Sequence, residues 1–214
     1  MGKSDFKNKL IIVFLILFIV VAGIITFKNR GRRRAVPDLP EPIQLEADGA
    51  TAFEMDGYNV SVSYLYAYDI TALVVSTHDY VPYNFGNKLS PRDFALAWGS
   101  VAATNETVDY NWSQSGRWYK WYVSSYEDII PVGGEAGVNC QSANTHIIPA
   151  TSLVKDEVER VKTGDCIHMK GYLVSIYAHD NKGATFTWSS STSREDTGDG
   201  ACEVFYVTDI EWVP

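Results

Sequence analysis

The chain has 214 residues and a formal net charge of −8 at pH 7, and this charge is unevenly distributed. Residues 1–34 hold eight of the 18 basic residues and one of the 26 acidic residues, which leaves 10 basic and 25 acidic residues, a net charge of −15, downstream. So acidic a region repels phosphate backbones, and no basic stripe follows residue 34 to overcome that repulsion. We therefore expect no nucleic-acid partner.

Residues 10–27 contain no charged side chain and are flanked by basic residues on both sides. Eighteen helical residues span ~27 Å, which is enough to cross a bilayer core. The run predicts a transmembrane helix behind an N-terminal tail at 1–9. Because no small-x-small cleavage site precedes Lys28, an uncleaved single-pass anchor is favoured over a signal peptide.

The orientation of this anchor is not fixed by charge alone. Basic residues are more numerous after the predicted helix, and the positive-inside rule then places the following domain in the cytoplasm. A short tail with three lysines is nevertheless difficult to translocate. We expect the anchor to lie in the inner (cytoplasmic) membrane with an extracytoplasmic domain.

A basic and proline-rich linker is predicted at 28–45, followed by a single β-rich domain at 46–214. From Tyr58 to Tyr68, aromatic and β-branched residues alternate with small polar ones, which predicts a strand with a tyrosine row on one face. Residues 89–100 carry helix punctuation: Ser90 as cap, Pro91 at the first turn and Gly99 at the end.

The second half of the domain predicts more strands and one further helix. Residues 115–125 alternate as a strand, and 152–165 predict a helix with valines on its buried stripe. Strands are predicted at 165–177, where Gly171 suits a close backbone approach, and at 184–191 and 201–213. The sum is a mainly β domain with two short helices, forming a curved antiparallel sheet or a partly open OB-like barrel behind the transmembrane helix.

The loop before the last strand concentrates polar groups, among them Arg194, Asp196 and Glu203. Its acids lack the spacing of a calcium loop, so we expect no metal and no cofactor. Gly198 and Gly200 fit a tight hairpin turn that needs positive φ. The structural interpretation is that Arg194 pins this turn through carboxylates.

Two further stretches hold candidate functional groups. His146 is six residues after Cys140, and a thiolate–imidazole pair and a structural histidine are both compatible with that sequence. Arg117 is surrounded by Trp118 and Trp121, where a guanidinium either grips a ligand or pairs with one of the many acids of the domain.

These stretches, as an ordered set, resemble one widespread bacterial family of uncharacterised, membrane-anchored proteins. The resemblance rests on "SPRDFALAWG", "SQSGRWYKWY", "SANTHIIPA", "GDCIHMKGYLV" and "SSSTSREDTGDGACEVFYV" and runs from about Tyr58 to Trp212. It brings no assigned reaction, and the chain departs from the family pattern at Thr145 and Cys166. The matching positions are Asp93, Trp98, Gly99, Gln114, Arg117, Trp118, Tyr119, Trp121, Asn144, His146, Pro149, Gly164, Asp165, Gly171, Arg194, Asp196, Gly198, Gly200, Cys202 and Glu203.

The leading functional hypothesis is a membrane-anchored binding or scaffold domain that holds an unidentified ligand, such as a peptide, a glycan or an envelope protein. Its candidate rim consists of Arg117, Trp118, Trp121, Asn144, His146, Arg194, Asp196 and Glu203. The alternative is a hydrolase that uses His146 as general base, with Arg117 or Arg194 stabilising an anion.

Overall fold

The computed structural model describes residues 11–20, 33–194 and 201–214. Residues 11–20 form an exposed helix, α1, inside the predicted transmembrane segment, and the remainder of that segment lies outside the described residues. Within the described part of the chain, no helix has both the length and the apolar character needed to cross a membrane. The membrane span therefore stays a prediction.

The chain divides into two compact units, residues 1–33 and 34–214, and the second unit contains the β-sheet. The second unit includes residues 34–45, which the sequence assigned to a linker. Its strands are β1 Ile43–Glu46, β2 Ala50–Met55, β3 Tyr58–Asp79, β4 Arg92–Ala97, β5 Ser113–Ser115, β6 Trp118–Lys120, β7 Ser142–Pro149, β8 Cys166–Asp180, β9 Thr185–Ser189 and β10 Glu203–Trp212. Its α-helices are α2 Phe85–Leu89, α3 Gly99–Thr104, α4 Gly134–Cys140 and α5 Ser152–Arg160, and two short 3₁₀ helices cover Tyr126–Asp128 and Ile130–Val132.

Five of the strands close into a ring, which is hereafter called the strand ring. Its order is β3–β4–β7–β10–β8, and it closes because β8 also pairs along most of β3. All of these pairings are antiparallel except that of β7 with β10, which is parallel. The mainly β prediction is confirmed, although the sheet is mixed rather than purely antiparallel.

Side-chain alternation gives β7 and β10 two distinct faces. The Ile147 face joins Ile147 to Phe205 and Val207 in the large buried cluster. The His146 face consists of Asn144, His146 and Ile148 with Val204 and Tyr206, and its apolar members belong to a second, smaller cluster. Neighbouring residues in sequence therefore serve different sites.

The prediction of a helix at 89–100 is wrong. Residues 92–97 form β4 instead, and the helix of this region, α3, begins only at Gly99. All six residues of β4 are buried, because β3 and β7 pair on either side of it and apolar groups cover both faces. Burial in the sheet thus overrides the local capping signals.

The strand predicted at 115–125 is wrong for most of its length, because a turn at 116–117 separates β5 from β6, which ends at Lys120. The second unit also has four short α-helices where two were predicted.

Other predicted elements are present, with one irregularity. The tyrosine row divides because the register of β3 shifts between Tyr64 and Tyr66, so that Tyr64 packs against the small cluster and Tyr66 against the large one. The helix predicted at 152–165 is confirmed as α5, although Thr151 caps it. Gly171 is confirmed at a close approach, since a Cβ there would lie 2.0 Å from the Tyr206 carbonyl oxygen.

Candidate functional site

Asp93 is the centre of a buried polar cluster on the His146 face and is fully inaccessible to solvent. Arg117 Nη1 donates to Asp93 Oδ1 at 2.7 Å, and the Tyr80 hydroxyl donates to Oδ2 at 2.7 Å. His146 Nδ1 lies 2.9 Å from Oδ2, but the two atoms are not aligned for a hydrogen bond. We call Asp93, Arg117, Tyr80 and His146 the Asp93 hub.

The Arg117 side chain uses its terminal donors within the protein. Nη1 also donates to Ser90 Oγ, and Nη2 donates to the Ser90 carbonyl at 2.7 Å and to Asn87 Oδ1 at 2.9 Å. The guanidinium carbon lies 3.5 Å from the centre of the Tyr80 ring. A guanidinium so fully paired has few donors left for a ligand.

The backbone of Arg117 is also constrained. Gly116 and Arg117 form the two-residue turn between β5 and β6, and both have positive φ, 59° and 73°. Such a turn suits glycine but not arginine, so its contacts must hold it. The Arg117 N–H donates to the Tyr80 hydroxyl, and its carbonyl accepts from Asn144 Nδ2 at 3.0 Å.

Asn144 links this turn to the start of β10. Its Oδ1 accepts from Gln114 Nε2 at 2.8 Å, and its Nδ2 lies 3.6 Å from Cys202 Sγ. The Cys202 thiol in turn donates to the Arg117 carbonyl at 3.8 Å. Cys202 therefore lies opposite Asn144 on the His146 face, in continuation of the parallel register that pairs Glu203 with Thr145.

A groove of about 730 Å³ opens beside the Asp93 hub. His146 contributes to its wall, and the His146 ring contacts Trp188 with centroids 4.6 Å apart. Trp118 also lines the groove and is 38% exposed. Apart from Arg117, the remaining described lining is aromatic or neutral: Tyr58, Asn84, Phe85, Gly86, Asn87, Thr185, Phe186, Thr187, Ser189 and Cys202.

Arg194 belongs to a different cluster, here called the Arg194 cluster. Its Nη2 donates to the Pro42 carbonyl at 2.9 Å, and its guanidinium lies over the Trp98 ring at 5.9 Å. It also hydrogen-bonds Tyr68, and Glu203 acts on the same tyrosine electrostatically. A second cavity of about 370 Å³ adjoins this cluster and is lined by Arg194, Glu203, Trp98 and Trp121, among others.

Tyrosine pKa values show how dry both clusters are. Burial, and then the charge of Asp93, raises the pKa of Tyr80 well above its ordinary value, so Tyr80 stays protonated and donates. Burial raises the pKa of Tyr119, beside Ser142, to about 12. Burial, together with Glu203, likewise raises the pKa of Tyr68 far above 10. These hydroxyls act as hydrogen-bond donors rather than as bases.

The predicted rim is thus only partly assembled in one place. Arg117, Asn144 and His146 meet on the His146 face, whereas Arg194 and Glu203 form the other cluster with Trp98. Trp118 borders both cavities, Trp121 borders the smaller one, and Asp196 lies outside the described residues. Arg194 does hold two parts of the chain together, but the acceptor of its described hydrogen bond is the Pro42 carbonyl, before β1, and not a carboxylate.

Sequence reasoning missed Asp93, Tyr80 and Cys202 as members of the site. Asp93 falls inside the helix predicted at 89–100, although a carboxylate in so apolar a stretch is a signal for a buried partner. Among the described residues, no group of three or more His, Cys, Asp or Glu side chains could hold a metal ion.

Comparison of the chain with protein-family models, with curated proteins and with solved structures finds no match. The resemblance drawn from the motifs therefore stays a prediction.

Proposed function

We propose that the second unit is an OB-like binding domain and that the groove beside the Asp93 hub holds a neutral glycan. Support for the OB-like assignment comes from the five-stranded ring, the parallel pairing of its third and fifth strands, and α5 between its third and fourth. Such barrels bind oligonucleotides or oligosaccharides across their second and third strands and the adjoining loops. Here the corresponding strands are β4 and β7, which carry Asp93 and His146.

The composition of the groove favours a glycan over a nucleic acid. Its aromatic side chains offer flat apolar faces, and its amides and hydroxyls offer neutral donors and acceptors. Arg117, the basic residue of the lining, is already paired with Asp93. A net charge of −15 after residue 34 opposes a phosphate backbone, whereas sugar rings need stacking faces and neutral hydrogen bonds.

The hydrolase hypothesis that relies on Arg117 or Arg194 is weaker on these grounds. Arg117 has its terminal donors occupied, and Arg194 joins the cluster around Tyr68 and Trp98. Location of the domain at the bacterial envelope, on the membrane anchor predicted from the sequence, is part of the same proposal.

The experiment is calorimetric titration of the full chain, purified in detergent, with the tetramer of N-acetylglucosamine. We expect saturable binding that Trp188→Ala abolishes and Trp118→Ala weakens. Trp212→Ala is the matched control, because Trp212 is 40% exposed but lies outside the groove. Absence of binding, or loss of binding in all three variants alike, would contradict the glycan proposal.

A further inference from the structure

Cys202, His146 and Asp93 lie on three adjacent strands or strand ends of the strand ring, in the order β10, β7, β4. Asp93 pairs with His146 in the register of β4 and β7. Cys202 immediately precedes β10 and lies opposite Asn144, two residues before His146 on the same face. A carboxylate, an imidazole and a thiol thus follow one another across the sheet.

The position of the imidazole relative to Asp93 is compatible with this arrangement. Its Nδ1 is held 2.9 Å from the Asp93 carboxylate, so Nε2 at the other edge of the ring is directed away from β4. His146 is 3% exposed, which limits its alternatives for a proton partner. His146 and Cys202 both line the 730 Å³ groove, so a ligand bound there meets the two groups together.

We propose that Cys202 is a nucleophilic thiol, that His146 is its general base and that Asp93 positions the histidine, so that the groove accepts an acyl ester. This goes beyond glycan binding and does not depend on it. The constellation follows the general arrangement of nucleophile, base and orienting acid, which is recognised by geometry rather than by sequence order.

The chemical step balances without a cofactor. His146 takes the thiol proton, and Sγ bonds to the ester carbonyl carbon. The C–O bond to the alcohol then breaks, and the alcohol leaves with the proton from His146. Water, activated by the same imidazole, hydrolyses the thioester and restores the thiol.

One local movement is required. The thiol hydrogen is directed at the Arg117 carbonyl, so transfer to His146 needs rotation about χ1 of Cys202. The Asn144 Nδ2 donor at 3.6 Å stabilises the thiolate that results.

The charges around the thiol favour its ionisation only in part. Arg117 is offset by Asp93, while Glu203, adjacent in sequence, opposes a second negative charge. Tyr119 stays neutral because burial raises its pKa. Among the described residues, the groups that favour ionisation are therefore His146 and Asn144, and the first of these is the one that the variant below removes.

The first test is the pH dependence of iodoacetamide alkylation in the full chain, followed at each cysteine by mass spectrometry. Cys140 is an internal reference, since both thiols are partly exposed and neither forms a disulfide. We expect Cys202 to reach half its plateau rate about one pH unit or more below Cys140. Equal midpoints would overturn the proposal, and this comparison needs no variant to fold.

The second test uses variants and an ester probe. In His146→Asn, the pH midpoint of Cys202 alkylation should rise to that of Cys140. An unchanged midpoint would show that His146 is not the general base. p-Nitrophenyl acetate should leave an acetyl thioester on Cys202 and not on Cys140. Labelling of both thiols alike, or no labelling together with no more p-nitrophenolate release than His146→Asn gives, would contradict the acyl step, whatever the outcome of glycan titration.

Discussion

The Asp93 hub and the Arg194 cluster are both built around an arginine, but they treat it differently. Arg117 meets a buried carboxylate, a tyrosine ring and several oxygen acceptors. In the Arg194 cluster, by contrast, the buried Nε atoms of Arg194 and Trp98 have no acceptor among the described residues. Among the described residues, the hub therefore closes around its arginine, although His146 Nδ1 has no aligned acceptor either, whereas the cluster leaves Nε of its arginine without an acceptor.

The same two strands, β7 and β10, adjoin both the Asp93 hub and the Arg194 cluster. Asn144 and Thr145 are neighbours in sequence, as are Cys202 and Glu203, yet alternation sends them to opposite faces of the sheet. A substitution at one face should therefore leave the other nearly unchanged. The predictions below test that separation, starting from the largest effect.

Removing the charge of Asp93 should have the largest effect. Asp93→Asn leaves the Arg117 guanidinium without its carboxylate in a buried site, and breaking such a pair costs about 3–5 kcal/mol of unfolding free energy. Urea denaturation of the full chain measures this. The matched control is Asp69→Asn, which removes an aspartate from a partly exposed histidine pair and should cost less than about 1 kcal/mol. Similar losses in the two variants would show that the hub is not the closed unit described.

Arg117→Lys should come next. Lysine keeps the positive charge but cannot reproduce the fork that reaches Asp93, Asn87 and the Ser90 carbonyl together. We expect a loss of about 2–4 kcal/mol, because several hydrogen bonds to a charged group disappear in a buried site. A loss below about 1 kcal/mol would mean that the contacts of Arg117 are dispensable.

Arg194→Lys should destabilise the chain less, by about 1–2 kcal/mol. The described contacts of Arg194 are the Pro42 carbonyl, the Tyr68 hydroxyl and the Trp98 ring, which are fewer than those of Arg117. Glycan titration of the same variant should be unchanged, because Arg194 lies outside the larger groove. If Arg194→Lys weakened glycan binding but left the denaturation midpoint unchanged, Arg194 would belong to the binding site.

The sequence predicted the β-rich class, the helix at α5 and the close approach at Gly171 because these depend on local periodicity and on one backbone requirement. It failed at β4, where Ser90, Pro91 and Gly99 imitate helix punctuation but burial between two strands prevails. The prediction of one continuous tyrosine row failed at a register shift in β3, which no local sequence pattern indicates.

The site was harder to predict than the fold. Arg117 and His146 are 24 and 53 positions from Asp93, and only strand pairing brings them together. The pattern identified Arg117, Asn144 and His146 as polar groups of interest. It could not show that Arg194 and Glu203 belong to another face, because the face of Glu203 depends on the parallel register of β10 with β7.

The smallest expected effect is a pH dependence at His168, the exposed counterpart of His146. His168 lies between Glu211 at 2.9 Å and Asp69 at 2.7 Å, and hydrogen bonds first to Glu211 and then to Asp69 raise its pKa. Since the folded pKa exceeds the unfolded one, this stabilisation is complete below about pH 6.5 and is lost as pH rises through the raised pKa. We expect His168→Gln to lower the melting temperature at pH 5.5 and to match the wild type at pH 9, with a difference below about 1 kcal/mol because the pair is exposed. If His168→Gln lowered the melting temperature equally at both pH values, the imidazole would stabilise the fold by packing. The partly exposed His168–Asp69 pair would then not contribute through its charge.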